Sequence, residues 1–174
     1  MTTSKACSRQ SPLGALARGV LAATVGTVAM DLLWFSRYKR EGGQSSLLEW
    51  EFSLGLDDWS QSSTPSQIGK RLFEGFFQRE LPARWAALTT GVVHWVYGLG
   101  WGALYGLVAG SARRPRIQSG LLFGPVVWTA GYLILPLAKL YKPMWEYDAP
   151  TLAKDLSAHL VYGLATAVAF RVAS

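Results

Sequence analysis

Only one cysteine, Cys7, occurs in the chain, which excludes an internal disulfide and a cysteine-built metal centre. Reaction signatures are missing as well: no His-Glu-x-x-His pair, nucleophile elbow, phosphate loop or dinucleotide fingerprint is present. No cofactor is therefore expected, and the chain reads as non-enzymatic. Its net charge of +6 comes from Lys and Arg at the ends of apolar segments and not from one basic face. That distribution excludes a nucleic-acid surface and suits lipid head groups. Histidine is nearly as scarce, with two copies, and both stand inside apolar segments.

What the chain has in abundance is long apolar sequence, at residues 13–35, 86–109, 118–138 and 152–173. Each segment is long enough to cross a hydrocarbon core of about 30 Å, which takes about 20 helical residues. The expected fold is all-α: a four-span transmembrane helical bundle, one domain over 13–174, preceded by a polar, disordered tail at 1–12. Lys5, Arg9 and Arg18 give the first segment the look of a secretory signal. It nevertheless continues through Asp31 to Phe35 and runs into Ser36-Arg37-Tyr38-Lys39-Arg40, with no small-x-small cleavage site. It is expected to be retained as a span.

The connection 36–85 divides in two. Glu41 to Ser63 is Gly/Ser-rich and acidic, and Glu49, Glu51, Asp57 and Asp58 read as a solvated loop face. From Pro65 to Glu80 an amphipathic helix is expected, with Thr64 as N-cap and Ile68, Leu72, Phe73, Phe76 and Phe77 recurring on one face. The helix suits the membrane interface, or equally a position packed over the span ends, and Pro82 terminates it in either case. Arg113, Arg114 and Arg116 form a basic turn between the second and third spans. Trp34, Trp85, Tyr141, Trp145 and Tyr147 fall where an interfacial aromatic belt belongs. The N-terminal tail, the arginine turn and Arg171 carry no acid, so both termini are expected in the cytoplasm, although the longer loop on the opposite side holds more Lys and Arg.

Spans associate where small side chains let backbones approach. Gly98, Gly102, Gly106 and Gly110 recur every fourth residue in the second segment, and His94 continues the row. Ala15, Gly19, Ala23, Thr27 and Asp31 form the same row in the first. His159, Gly163 and Ala167 do so in the fourth, and Gly120 and Gly124 open the third. Asp31, His94 and His159 thus lie on helix contact rows, at depths within about 7–12 Å of one membrane surface. Asp155 precedes His159 by one helical turn, so these four residues form the candidate polar cluster.

Three roles stay open for it: a structural lock between helices, a protonatable relay, or a metal site without an established ligand spacing. Pro125 and Pro136 are expected to shape the third helix. His94-Trp95-Val96-Tyr97-Gly98-Leu99 and His159-Leu160-Val161-Tyr162-Gly163-Leu164 differ at one position, which suggests a duplicated helical hairpin.

His94 with Gly98, Gly120-x-x-x-Gly124 with Trp128, Pro136, the Pro143 to Trp145 region, and Asp155 with His159 together resemble the YagU-like family of small bacterial inner-membrane proteins. The resemblance covers about residues 86–170 and implies a multi-pass inner-membrane location, with no catalytic residue to carry over. The function expected is that of a membrane protein acting through helix packing or partner association, with a pH-responsive Asp/His cluster. The alternatives are a small transporter or channel subunit handling protons or a cation, and a membrane-embedded metal-dependent enzyme. The bilayer is the expected partner, together with a second copy or another membrane protein, and no nucleic acid.

Overall fold

The computed structural model describes residues 11–111, 117–137 and 139–173. Residues 1–10 of the expected tail, with Cys7, and the arginine turn at 113–116 lie outside them, whereas Ser11 and Pro12, expected in the tail, begin the first helix. Within the described residues the chain is helical and has no strand. Its helices are α1 (Pro12–Arg40), α2 (Leu47–Glu51), α3 (Thr64–Phe77), α4 (Ala86–Ser111), α5 (Ser119–Leu137) and α6 (Ala149–Val172). Short 3-10 turns stand at Trp59–Gln61, Ala83–Trp85 and Met144–Glu146.

Local sequence explains most helix ends. Ser11 Oγ accepts from the Gly14 amide at 3.1 Å and Pro12 fills the first turn of α1. The helix then runs five residues past Phe35 to Arg40, where Arg37, Lys39 and Arg40 complement the negative end of its dipole. Asp148 caps α6 by accepting from the Thr151 amide at 2.6 Å, again with a proline in the first turn. For α3 the N-cap is Ser63, one residue before the expected Thr64, and Gln78 in the left-handed conformation ends the helix ahead of Pro82.

Three helices among the described residues are long and apolar enough to cross a membrane: α1, α4 with its 3-10 lead-in (Ala83–Ser111), and α5. At 24 residues α6 is also long, but Lys154, Asp155, His159 and Arg171 make it less apolar. The outward faces of the apolar helices carry exposed Leu21, Val25, Val96, Val108, Leu122 and Leu133.

α1 lies between α4 and α6, and α6 lies between α1 and α5. The small-residue rows form these contacts. A Cβ at Gly19 would run into the Gly102 carbonyl, one at Gly102 into Ala23, and one at Gly106 into the Ala15 carbonyl. In the other half, a Cβ at Gly120 would meet the Gly163 carbonyl, one at Gly163 the Gly120 carbonyl, and one at Gly124 the His159 carbonyl. Gly110, one turn beyond Gly106, is half-buried.

At the end of the bundle away from the long connection, Tyr105 joins the halves. Its ring packs 4.7 Å from Phe123, and its hydroxyl lies 2.7 Å from Ser119 Oγ. At the opposite end Arg37 donates to the Lys154 carbonyl at 2.9 Å and to Ser157 Oγ at 2.7 Å.

The connection is more ordered than its composition suggests. Ser46 and Glu49 form a reciprocal capping box that starts α2. α3 packs over the start of α4: buried Ser66 donates to the Ala86 carbonyl at 3.0 Å and bonds Thr90 Oγ1, and Gly69 lies against Thr89 and Val93. Leu72, Phe76 and Phe77 on another face are exposed.

Candidate functional site

α1 and α4 run antiparallel, so their rows pair Gly19 with Gly102, Thr27 with Gly98, and Asp31 with His94. His94 Nε2 stands 3.0 Å and 3.3 Å from the two Asp31 carboxylate oxygens, and Asp31 is only 7% exposed. The carboxylate is an acceptor here, so Nε2–H donates. One turn below, the Tyr162 hydroxyl from α6 donates to the Gly98 carbonyl at 2.6 Å, tying the third helix to the pair.

A second acid joins the Asp31–His94 pair, and it corrects the solvated-loop reading of Glu51. Trp50 packs 5.6 Å from Phe35 and 6.1 Å from Tyr38, which holds α2 against the end of α1. Glu51 is thereby half-buried, and its Oε1 accepts from Trp95 Nε1 at 3.0 Å. Burial, and then the Asp31 charge, push its carboxyl above the ordinary glutamate range. One ligand atom each from Asp31, Glu51 and His94 lie within 4.8 Å of one another. Glu49, in contrast, stays exposed and is held below the usual range by its bonds to Ser46.

His159 is partnered differently. Its Nδ1 lies 3.0 Å from the Asp155 carbonyl and 3.5 Å from Asp155 Oδ1. A carbonyl only accepts, so Nδ1 donates. Nearby, burial and then the Asp155 charge raise the Tyr141 phenol.

Asp31, His94, Asp155 and His159 all line one cavity of about 490 Å³, although direct bonds join them as two pairs and not as a single cluster. The metal group differs from the sequence expectation, since Glu51 stands with Asp31 and His94 where His159 and Asp155 were considered. Helices α1, α4, α5 and α6 form the inner walls, and Trp50, Glu51, Ser63, Thr64 and Ile68 of the long connection complete the lining. Trp34 and Tyr141, two of the residues assigned to an aromatic belt, also turn into it, while Trp85 and Trp145 are exposed. No Lys or Arg is among the described lining residues. Two buried polar atoms on its walls, Thr27 Oγ1 and Trp128 Nε1, have no hydrogen-bond partner.

Sequence reasoning missed Glu51 because it stands in a polar stretch, 20 residues beyond Asp31. The signal was present in Ser46-x-x-Glu49, which marks a helix start and therefore a defined direction for Trp50 and Glu51. No protein-family model, curated protein or solved structure matches this chain.

Proposed function

We propose that this chain is a multi-pass membrane protein whose bundle cavity binds a cationic solute, in the manner of a small transporter or channel subunit and without a covalent step. One observation carries the reading: three carboxyl groups and two histidines line a single cavity that has no described Lys or Arg on its walls. Its volume of about 490 Å³ lies within the range of small-molecule sites. Trp50 and Trp128 offer aromatic faces that attract cations. A polar pair serving only to lock two helices needs no such space.

In this reading α6 is a fourth span. Its 24 residues reach about 36 Å at 1.5 Å each, it packs along both α1 and α5, and Lys154 and Arg171 fall near its two ends. α3 lies at the interface with Leu72, Phe76 and Phe77 toward lipid. The charge bias favours cytoplasmic termini, and the YagU-like motifs favour a bacterial inner membrane.

A second reading rests on the glycine contacts. There the Asp31–His94 pair fixes the register of α1 on α4, and the protein acts by association with a partner.

The test is intrinsic tryptophan fluorescence of the full chain in nanodiscs, titrated with tetraethylammonium chloride against sodium chloride at constant ionic strength. Saturable change that Asp31→Asn weakens is the expected result. Absence of a saturable response to tetraethylammonium and to divalent cations alike would overturn the cavity reading in favour of the packing one.

A further inference from the structure

We infer that Asp31, Glu51 and His94 form a binding site for one divalent transition-metal cation, of the Mn²⁺, Co²⁺ or Zn²⁺ class, with coordination positions left open to the cavity. The inference rests on the cavity being a cation site, and it goes further in naming both the ligands and the class of ion.

Geometry comes first. Three donors from three separate elements, α1, α2 and α4, converge within 4.8 Å. The 3.0 Å between His94 Nε2 and Asp31 Oδ1 is close to the separation of two ligands around one ion at metal–ligand distances of about 2.0–2.2 Å, and the ion takes the place of the Nε2 proton, which is released on binding. Glu51 approaches on a flexible side chain, and Trp95 Nε1 holds its Oε1 at 3.0 Å, a bond from the outer shell that orients the carboxylate.

Charge comes second. A buried carboxyl group and a half-buried one lie side by side, and no described Lys or Arg lines the cavity to balance them. Neighbouring carboxylates in a poorly solvated site are relieved by a shared proton or by a cation, and a divalent ion supplies two positive charges at one point.

An orphaned atom is the third observation. Thr27, 2% exposed, sits one turn before Asp31 on the same face of α1 and lines the same cavity, yet its Oγ1 has no partner. The hydroxyl stands beside Gly98, one turn after His94 on α4. Donor chemistry then narrows the ion. An imidazole with two carboxylates suits first-row divalent metals, whereas Mg²⁺ and Ca²⁺ favour oxygen alone.

Co²⁺ provides the probe, because its visible absorption reports ligation directly. The full chain in nanodiscs, titrated with CoCl₂, is expected to develop a saturable band at one ion per chain, removed by Zn²⁺. Glu51→Gln is expected to weaken binding at least tenfold with helicity and monodispersity unchanged. His94→Gln, from a different helix, should read the same loss. Glu49→Gln keeps the capping chemistry and removes a neighbouring charge, so it should bind Co²⁺ like the parent chain. A missing band, or equal affinity in the parent, Glu51→Gln and His94→Gln, overturns the assignment. If tetraethylammonium still shifts the fluorescence when Co²⁺ does not bind, the metal site alone falls. If neither binds, the cation cavity falls with it.

Discussion

The two histidines stand in nearly identical six-residue stretches and are held in opposite ways. His94 reaches across to a carboxylate on another helix, whereas His159 turns back to a carbonyl of its own helix. Each precedes a glycine at which a neighbouring helix approaches: Gly98 meets Thr27 of α1, and Gly163 meets Gly120 and Gly124 of α5. The difference lies in what the neighbour carries one turn further on. Beyond Thr27, α1 presents Asp31; beyond Gly124, α5 presents Trp128, whose buried Nε1 has no partner. The same local motif therefore meets a carboxylate on the neighbouring helix in one half and an indole in the other.

The largest effects should come from breaking the close contacts of either half. A Cβ at Gly106 or Gly124 meets a backbone carbonyl that has no room to move, so Gly106→Val and Gly124→Val should each destabilise by about 3 kcal/mol or more. Steric-trap unfolding measures this, with Gly100→Ala, where no atom lies within 4 Å of the new Cβ, as the neutral control. Loss confined to one of the two glycine variants would show that the halves contribute unequally.

Double-mutant cycles sharpen the comparison directly. Asp31→Asn with His94→Gln should show a coupling of about 1 kcal/mol, within the range of polar contacts between membrane helices. The cycle of Asp155→Asn with His159→Gln should fall near zero, because the closest bond of His159 goes to a backbone carbonyl that the substitution retains. Equal couplings would mean that the Asp155 carboxylate, at 3.5 Å, matters as much as Asp31 does.

Tyr162→Phe removes the hydroxyl that crosses from the second half to the Gly98 carbonyl. The expected loss is about 1 kcal/mol, since the carbonyl keeps its other bonding capacity. Unfolding free energy in mild detergent is the readout, and a change indistinguishable from zero would make that bridge irrelevant to stability.

A smaller effect concerns the part of the connection that packs over the start of α4. Glu74 is held below the ordinary value of 4.5, first by its Lys70 hydrogen bond and then by the Leu81 amide. A depressed carboxyl pKa adds stability that is present above the unfolded value and is lost as pH falls through the folded one. Since Trp59 Nε1 donates to the Leu81 carbonyl at 3.0 Å, Trp59 emission should change on acidification below about pH 4.5. Glu74→Gln should remove that change; its persistence would assign it to another acid.

Much of the bundle was legible because helix packing in lipid follows a short-range rule. Small residues every fourth position mark the contacting face, and the pairing of Gly19 with Gly102 and of Asp31 with His94 follows once two such rows run antiparallel. The site was legible only where its residues interrupted apolar sequence. Glu51 was hidden because a carboxylate in a Gly/Ser/acidic stretch looks like any solvated acid, and its burial depends on where α2 docks. That Trp34 and Tyr141 line the cavity was not legible either, since an aromatic residue at a span end suits lipid and a cavity wall equally.

The sequence by itself determined the helical class, the long apolar segments and the small-residue faces, because periodicity and hydrophobicity act over a few turns of one helix. Only the tertiary structure decided that the histidines take different partners, that the long connection supplies a wall and a third acid, and that a cavity stands among them. Those outcomes depend on which helix lies beside which, and no local stretch of the chain carries that information.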